Sequence, residues 1–256
     1  MPVATLARSV LLEARRGGLP WLAAASLVVG LGAAAFLSQV ALTDTAALQL
    51  AVLAALLRAC AVFLIAAQVT AATLREIQDK GLELMLSLPL SRTTHYLGRL
   101  AGFAACGVAL AAIFSAALLL WAAPLPAVLW GVSLAFEGAL VAAAALFFAM
   151  TLPSLVSAIG ATVGLYLLAR AMPAIQAMAA APMPEENWTG RVARGAVDAL
   201  AFLLPRLDAA TRTEWLLYDA PAAGAYTAAI GGLVLYMVLL VAAGLFDFHR
   251  LSLIHI

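Results

Sequence analysis

Residues 46–73 read AALQLAVLAALLRACAVFLIAAQVTAAT, and residues 75–92 just beyond them read REIQDKGLELMLSLPLSR. The first stretch carries a single charge, Arg58. At about 1.5 Å per helical residue it is long enough to cross the roughly 30 Å hydrocarbon core of a bilayer. The second is the most densely charged part of the chain. Drawn as a helix over 75–88, it gathers Glu76, Asp79, Lys80, Glu83 and Ser87 within an arc of roughly 100°, with mostly apolar residues around the rest. A helix divided in this way lies along a membrane surface rather than through it.

The same character extends over the whole sequence. Of 256 residues, 66% are hydrophobic and 11% are charged, and the mean hydropathy is +1.06. Soluble domains carry about 25% charged residues, so the composition implies an all-α integral membrane protein. Six apolar segments of sufficient length are read at about 20–41, 46–73, 96–122, 126–150, 154–178 and 222–246. They are apolar on every face, which excludes the alternating strands of a membrane barrel. Between them these residues leave no space for a separate soluble catalytic domain of at least about 50 residues. One transmembrane domain over 1–256 is therefore expected. Cys60 and Cys106 lie singly in apolar runs, and His95, His249 and His255 are scattered. Neither set has metal-site spacing, so no metal is expected. A net charge of +1 points away from nucleic acid.

Basic residues set the orientation. Arg8, Arg15, Arg16, Arg75, Lys80, Arg92, Arg99 and Arg250 fall on one side, and Arg191, Arg194, Arg206 and Arg212 on the other. Eight against four makes the first side cytoplasmic, with both termini inside. Residues 3–16 place Val3, Leu6, Ala7, Val10, Leu11 and Ala14 on one face and Arg8, Arg15 and Arg16 on the other, as in a basic interfacial helix on membrane lipid. On the outer side, residues 185–219 carry Trp188, Trp215 and Tyr218 among charges, and Pro205 ends a helical stretch. Short surface or re-entrant helices are expected there.

Three ionisable residues fall inside spans: Arg58, Glu137 and Arg170. Each costs roughly 2.5 to 3.5 kcal/mol at the bilayer centre, so all three are expected to have partners or an exit to water. Counted along parallel spans, Arg58 and Glu137 lie about 18 and 17 Å from the outer ends, which allows an ion pair facing the bundle interior or a substrate path. A purely structural pair fits the same residues. Arg170 is close enough to the outer boundary to snorkel. Gly98/Gly102 and Gly160/Gly164 have the spacing of close helix packing.

Residues 76–99 resemble the permease subunits of ABC-2 type exporters. The resemblance rests on Glu76 leaving the second span, Gly81-Leu82-Glu83, the Leu84-Met85-Leu86-Ser87-Leu88-Pro89 element, Ser91-Arg92, and Tyr96-Leu97-Gly98-Arg99. Within that family the chain is similar to the permease of nitrous-oxide-reductase maturation and, more distantly, to the haem-exporter permease of cytochrome c maturation. The resemblance implies a bacterial inner-membrane exporter of two permease chains, a homodimer, with two separate ATPase subunits. It makes 75–89 a cytoplasmic coupling helix whose Glu76, Asp79, Lys80, Gly81 and Glu83 meet the ATPase before Pro89 ends it. No G-x-x-x-x-G-K-[ST] phosphate loop occurs, so ATP belongs to the partner and the chain itself is expected to be no enzyme. The rival reading is a secondary transporter driven by an ion gradient, with Glu137 as proton carrier.

Overall fold

The computed structural model describes residues 2–40, 44–79, 91–180, 188–218 and 220–250. Among them there is no strand, and six helices are long and apolar enough to cross a membrane, which marks a multi-pass membrane protein. The elements in chain order are α1 (Pro2–Arg16), α2 (Leu19–Val40), α3 (Thr45–Gln78), α4 (Arg92–Leu118), α5 (Pro124–Thr151), α6 (Leu155–Ala179), α7 (Trp188–Leu203), a 3-10 turn (Leu207–Ala209), α8 (Glu214–Leu217) and α9 (Ala223–Arg250).

The largest boundary difference from the sequence reading is at the end of the second span. Residues 75–78 do not begin a new helix; they continue α3, whose 34 residues extend about 51 Å, well past the hydrocarbon core. Asp79 closes α3, its N–H reaching the Arg75 carbonyl at 2.9 Å. Residues 80–90, with Lys80, Gly81, Glu83 and Pro89, lie outside the described residues. The next span starts earlier than expected because Ser91 caps it: its Oγ accepts the Thr94 N–H at 3.2 Å, satisfying one of the orphan donors of the first turn.

Helix α5 is the axis of the bundle. Seven consecutive residues, Leu140 to Leu146, are buried, which a helix achieves only when neighbours surround it on all sides. Four of the seven are alanines, Ala142 to Ala145, so the surrounding backbones approach closely. At one level Ile65 of α3 packs between Gly107 of α4 and Gly138 of α5; a Cβ on Gly138 would meet Ile65 Cδ1 at 2.9 Å. One turn pair away, Ser115 Oγ donates to the Ala127 carbonyl at 2.7 Å, clamping α4 to α5. In lipid this close packing and these bonds hold helices together, because the surrounding tails are as apolar as leucine. Helices α2 and α9 are peripheral and turn Val28, Phe36, Leu235 and Phe246 outward.

The two glycine pairs part company. Gly98 and Gly102 receive α1: a Cβ at Gly102 would meet Val10 Cβ at 2.6 Å and the Ala7 carbonyl at 2.9 Å. Val10 and Ala14 are consequently buried, and Glu13 approaches Arg75 at 4.0 Å. Gly18, at φ 90°, then turns the chain from α1 into α2, a backbone state that a Cβ disfavours. Gly160 and Gly164 are exposed, and a Cβ at either would meet nothing within 4 Å among the described residues.

Gly102→Val is therefore expected to expel α1 at a cost of about 1–3 kcal/mol. A cysteine at Val10, in a background lacking Cys60 and Cys106, should go from protected to readily alkylated. Gly160→Ala should leave both thermal stability and labelling unchanged.

Candidate functional site

The connection between α6 and α9 is the source of the buried polar site. Pro205 follows the end of α7, and the chain then turns inward: Leu207, Ala210 and Thr211 are wholly buried. Only the 3-10 turn interrupts this irregular segment, and Thr211 has φ 49°. Non-helical backbone at such depth leaves carbonyls without partners unless side chains supply donors.

Two arginines supply them. Arg170 of α6 donates from Nη1 to the carbonyls of Leu207 at 2.5 Å and Ala210 at 3.0 Å, and from Nη2 to Thr211 at 3.3 Å. Arg58 of α3 donates to the same Thr211 carbonyl at 2.9 Å. The Thr211 N–H goes to Ser133 Oγ of α5 at 2.8 Å, and the two hydroxyls lie 3.1 Å apart. A guanidinium suits this task because its planar fork offers five donors in fixed directions. The segment 204–213 is thus a re-entrant wedge tied to α3, α5 and α6.

Glu137, fully buried on α5, completes the cluster. Its Oε1 accepts the Tyr166 hydroxyl at 2.7 Å and lies 3.8 Å from Arg170 Nη1. Its Oε2 has no hydrogen-bond partner among the described residues. The structure does not form the expected Arg58–Glu137 ion pair: among the described residues the cation within ion-pair distance of Glu137 is Arg170, while Arg58 stays in electrostatic range and donates to Thr211. Depth along the helices had placed Arg58 and Glu137 level, but rotation of α6 turns Arg170 inward. Its side chain is only 21% exposed, so it does not snorkel. A cleft of about 350 Å³ opens beside the cluster between α6 and residues 198–208, with Gln176, Asp198 and Asp208 among its lining.

A second buried charge cluster sits at the other end of α3. Glu76 makes an ion pair with Arg99 of α4, and His95 Nε2 lies 3.7 Å from the same carboxylate. Arg99 also stacks over Phe103, 5.3 Å from the ring centre. Glu76 is only 12% exposed, so its carboxylate turns into the bundle rather than outward as the coupling-helix reading expected; α3 runs straight through this position and carries its polar side toward α4. The cluster reaches α9: His95 stacks on Phe248 with centroids 6.3 Å apart, Arg92 donates to the Phe248 carbonyl at 3.3 Å, and Tyr96 packs against Gly244. Asp79 follows at the end of α3 and is exposed.

Tyr166, Ser133, Thr211, His95 and Arg99 were not singled out as site residues from the sequence. The signal for Arg99 and His95 was their position one and two turns into a span beside an acidic neighbour span. Ser133 and Thr211 carry no such mark. Comparison of the sequence with protein-family models and with curated proteins returns no match.

Replacing Arg170 with methionine removes three carbonyl partners and leaves Glu137 buried without its nearest cation. We expect a loss of about 3–5 kcal/mol in thermal or chemical unfolding, partly restored when Glu137→Gln is added. A cysteine at position 211, again without Cys60 and Cys106, should be alkylated at least about tenfold faster in Arg170→Met than in the parent. Tyr166→Phe, which leaves the carbonyl bonds intact, should change that rate little.

Proposed function

We propose that this chain is the membrane-spanning permease subunit of an ATP-driven ABC-2 type exporter in a bacterial inner membrane, moving its substrate with energy from a separate ATPase. The observation that carries this reading is the inner cluster. Glu76 and Arg99 join α3 to α4 across residues 80–90, the segment whose sequence resembles the family's ATPase-coupling element. In this reading both termini are cytoplasmic, α1 rests at the inner interface against membrane lipid, and two permease chains assemble with two ATPases. Asp79, Lys80, Gly81 and Glu83 meet the ATPase, and Glu76 passes the motion inward.

The path of that motion follows the helices. A push on 80–90 loads α3 and α4 together through the buried ion pair, and Phe248 carries it to α9. Arg58 lies 18 residues before Glu76 on the same rigid α3, about 27 Å away, and holds the Thr211 carbonyl. Tilting α3 therefore strains the Arg58 bond and loosens the 204–213 wedge, opening the outer side as the inner side closes. The energy needed is modest, because a carbonyl bond to a charged donor is worth about 1.5–3 kcal/mol.

A second reading keeps one observation of its own. Glu137 is fully buried and its Oε2 lacks a hydrogen-bond partner among the described residues, as suits a carboxylate that takes and releases a proton in a gradient-driven transporter.

Purification from native membranes decides between them. We expect a nucleotide-binding subunit to co-purify with the chain, to be lost in Asp79→Ala combined with Glu83→Ala, and flux in proteoliposomes to require both that subunit and ATP. Flux driven by a proton gradient without any ATPase, and abolished by Glu137→Gln, would replace this function by the second reading. Within the exporter, Arg99→Met should retain ATPase association while lowering flux at least about tenfold, and Asp79→Ala should weaken association first.

A further inference from the structure

Helix α9 packs against α5 and, at its inner end, against α4, while toward α7 and the re-entrant wedge it leaves a groove of about 630 Å³. Small residues form the α9 side of this groove, Ala225, Ala228, Ala229 and Gly232 recurring at helical spacing, with Leu235 and Leu239 further along. From Ala225 to Leu240 the lined face of α9 runs about 22 Å at 1.5 Å per residue. One leaflet contributes roughly 15 Å of hydrocarbon, so an extended acyl chain fits along it.

The opposite wall is the end of α7 and the residues after it, including Phe202 and Arg206. Among the described residues Arg206 is the one charged residue lining the groove, and it is exposed. Its side chain has no hydrogen-bond or ion-pair partner among the described residues; Asp198 and Asp208 share the neighbouring cleft with it but do not reach it within 4.0 Å. Phe202 beside it is 94% exposed, an aromatic anchor of the kind found where a membrane surface begins. A single cation over a long apolar trough is complementary to a molecule with one anionic head and a long tail.

We infer that this groove is a phospholipid site, one acyl chain lying along α9 and the phosphate held by Arg206. Contact between tail and groove gives little selectivity, since bulk lipid offers the chain an equally apolar surrounding. Selectivity comes from the charge-assisted bonds of guanidinium to phosphate in a region partly shielded from water. The lipid wedges between α9 and residues 202–206, filling space that no described side chain fills, and so supports the wall from which the 204–213 segment turns inward. This site needs only a bilayer, and does not depend on which energy source drives the chain.

The test uses the full chain in detergent, native mass spectrometry, and two probes with the same acyl chains: phosphatidylglycerol and diacylglycerol. Gly232→Leu fills the groove, and a Cβ at Gly232 meets nothing within 4 Å, so the helix tolerates it. Gly231→Leu is equally free of clashes but does not line the groove, and serves as the control. We expect one phosphatidylglycerol to survive at energies that strip the others, its apparent affinity to fall about tenfold in Arg206→Gln and in Gly232→Leu, and Gly231→Leu to match the parent. Equal retention of diacylglycerol, or unchanged phosphatidylglycerol binding in Gly232→Leu, would overturn the assignment. So would a chain dimer in the parent that Gly232→Leu alone dissociates, which would give the groove to a second copy.

Discussion

A carbonyl carried below the membrane surface has no water to bond to, and in this protein that requirement organises the half of the bundle around residues 204–213. Leu207, Ala210 and Thr211 bring irregular backbone into a position where every acceptor must be met from within the chain. Arg58 and Arg170 meet them, and their presence in otherwise apolar spans follows from that need. Two half-buried guanidiniums then call for compensation, which Glu137 gives in part, held in place by the Tyr166 hydroxyl. Remove the wedge and the arginines become liabilities; remove the arginines and the wedge cannot stay. The polar residues at membrane depth thus form one mutually dependent unit rather than separate oddities.

Packing sets where that unit sits. Helix α5 brings Ser133 and Glu137, one turn apart, to the centre because its alanine-rich continuation lets other helices close around it. The same logic of small residues applies at the opposite end of the bundle, where Gly98 and Gly102 leave a slot on α4 that α1 fills. An amphipathic helix with arginines on one face is thereby partly a packing element of the bundle, with Val10 and Ala14 buried against α4 while Arg15 and Arg16 stay exposed. The exposed Gly160 and Gly164 show that the spacing alone does not create a contact.

Both charge clusters share α3, and this is the mechanical core of the proposed exporter. Its middle carries Arg58 and grips the wedge; its C-terminal end carries Glu76 and grips α4. A continuous 34-residue helix transmits displacement between them with little loss, whereas a loop at residue 74 would absorb it. The unbroken C-terminal end of α3, where the sequence reading expects a break, is thus the feature that most strengthens the link between the two clusters.

The six spans, their approximate limits and the absence of strands among the described residues were legible in the sequence, because length and hydropathy are local properties that a bilayer reads directly. The helix ended by Pro205 and the burial of partnered charges were legible for the same reason: a missing N–H and an unmet charge are costly wherever they occur. Partner choice was not. Glu137 takes Arg170 rather than Arg58, and Glu76 takes Arg99 of α4, because pairing depends on how far each helix is rotated about its own axis. Rotation is decided by many small packing contacts between segments distant in the chain, and no count of residues along one helix contains it. Hydropathy alone determined that this chain lives in a membrane; which of its few charges meet, and what they hold, was decided only when the helices came together.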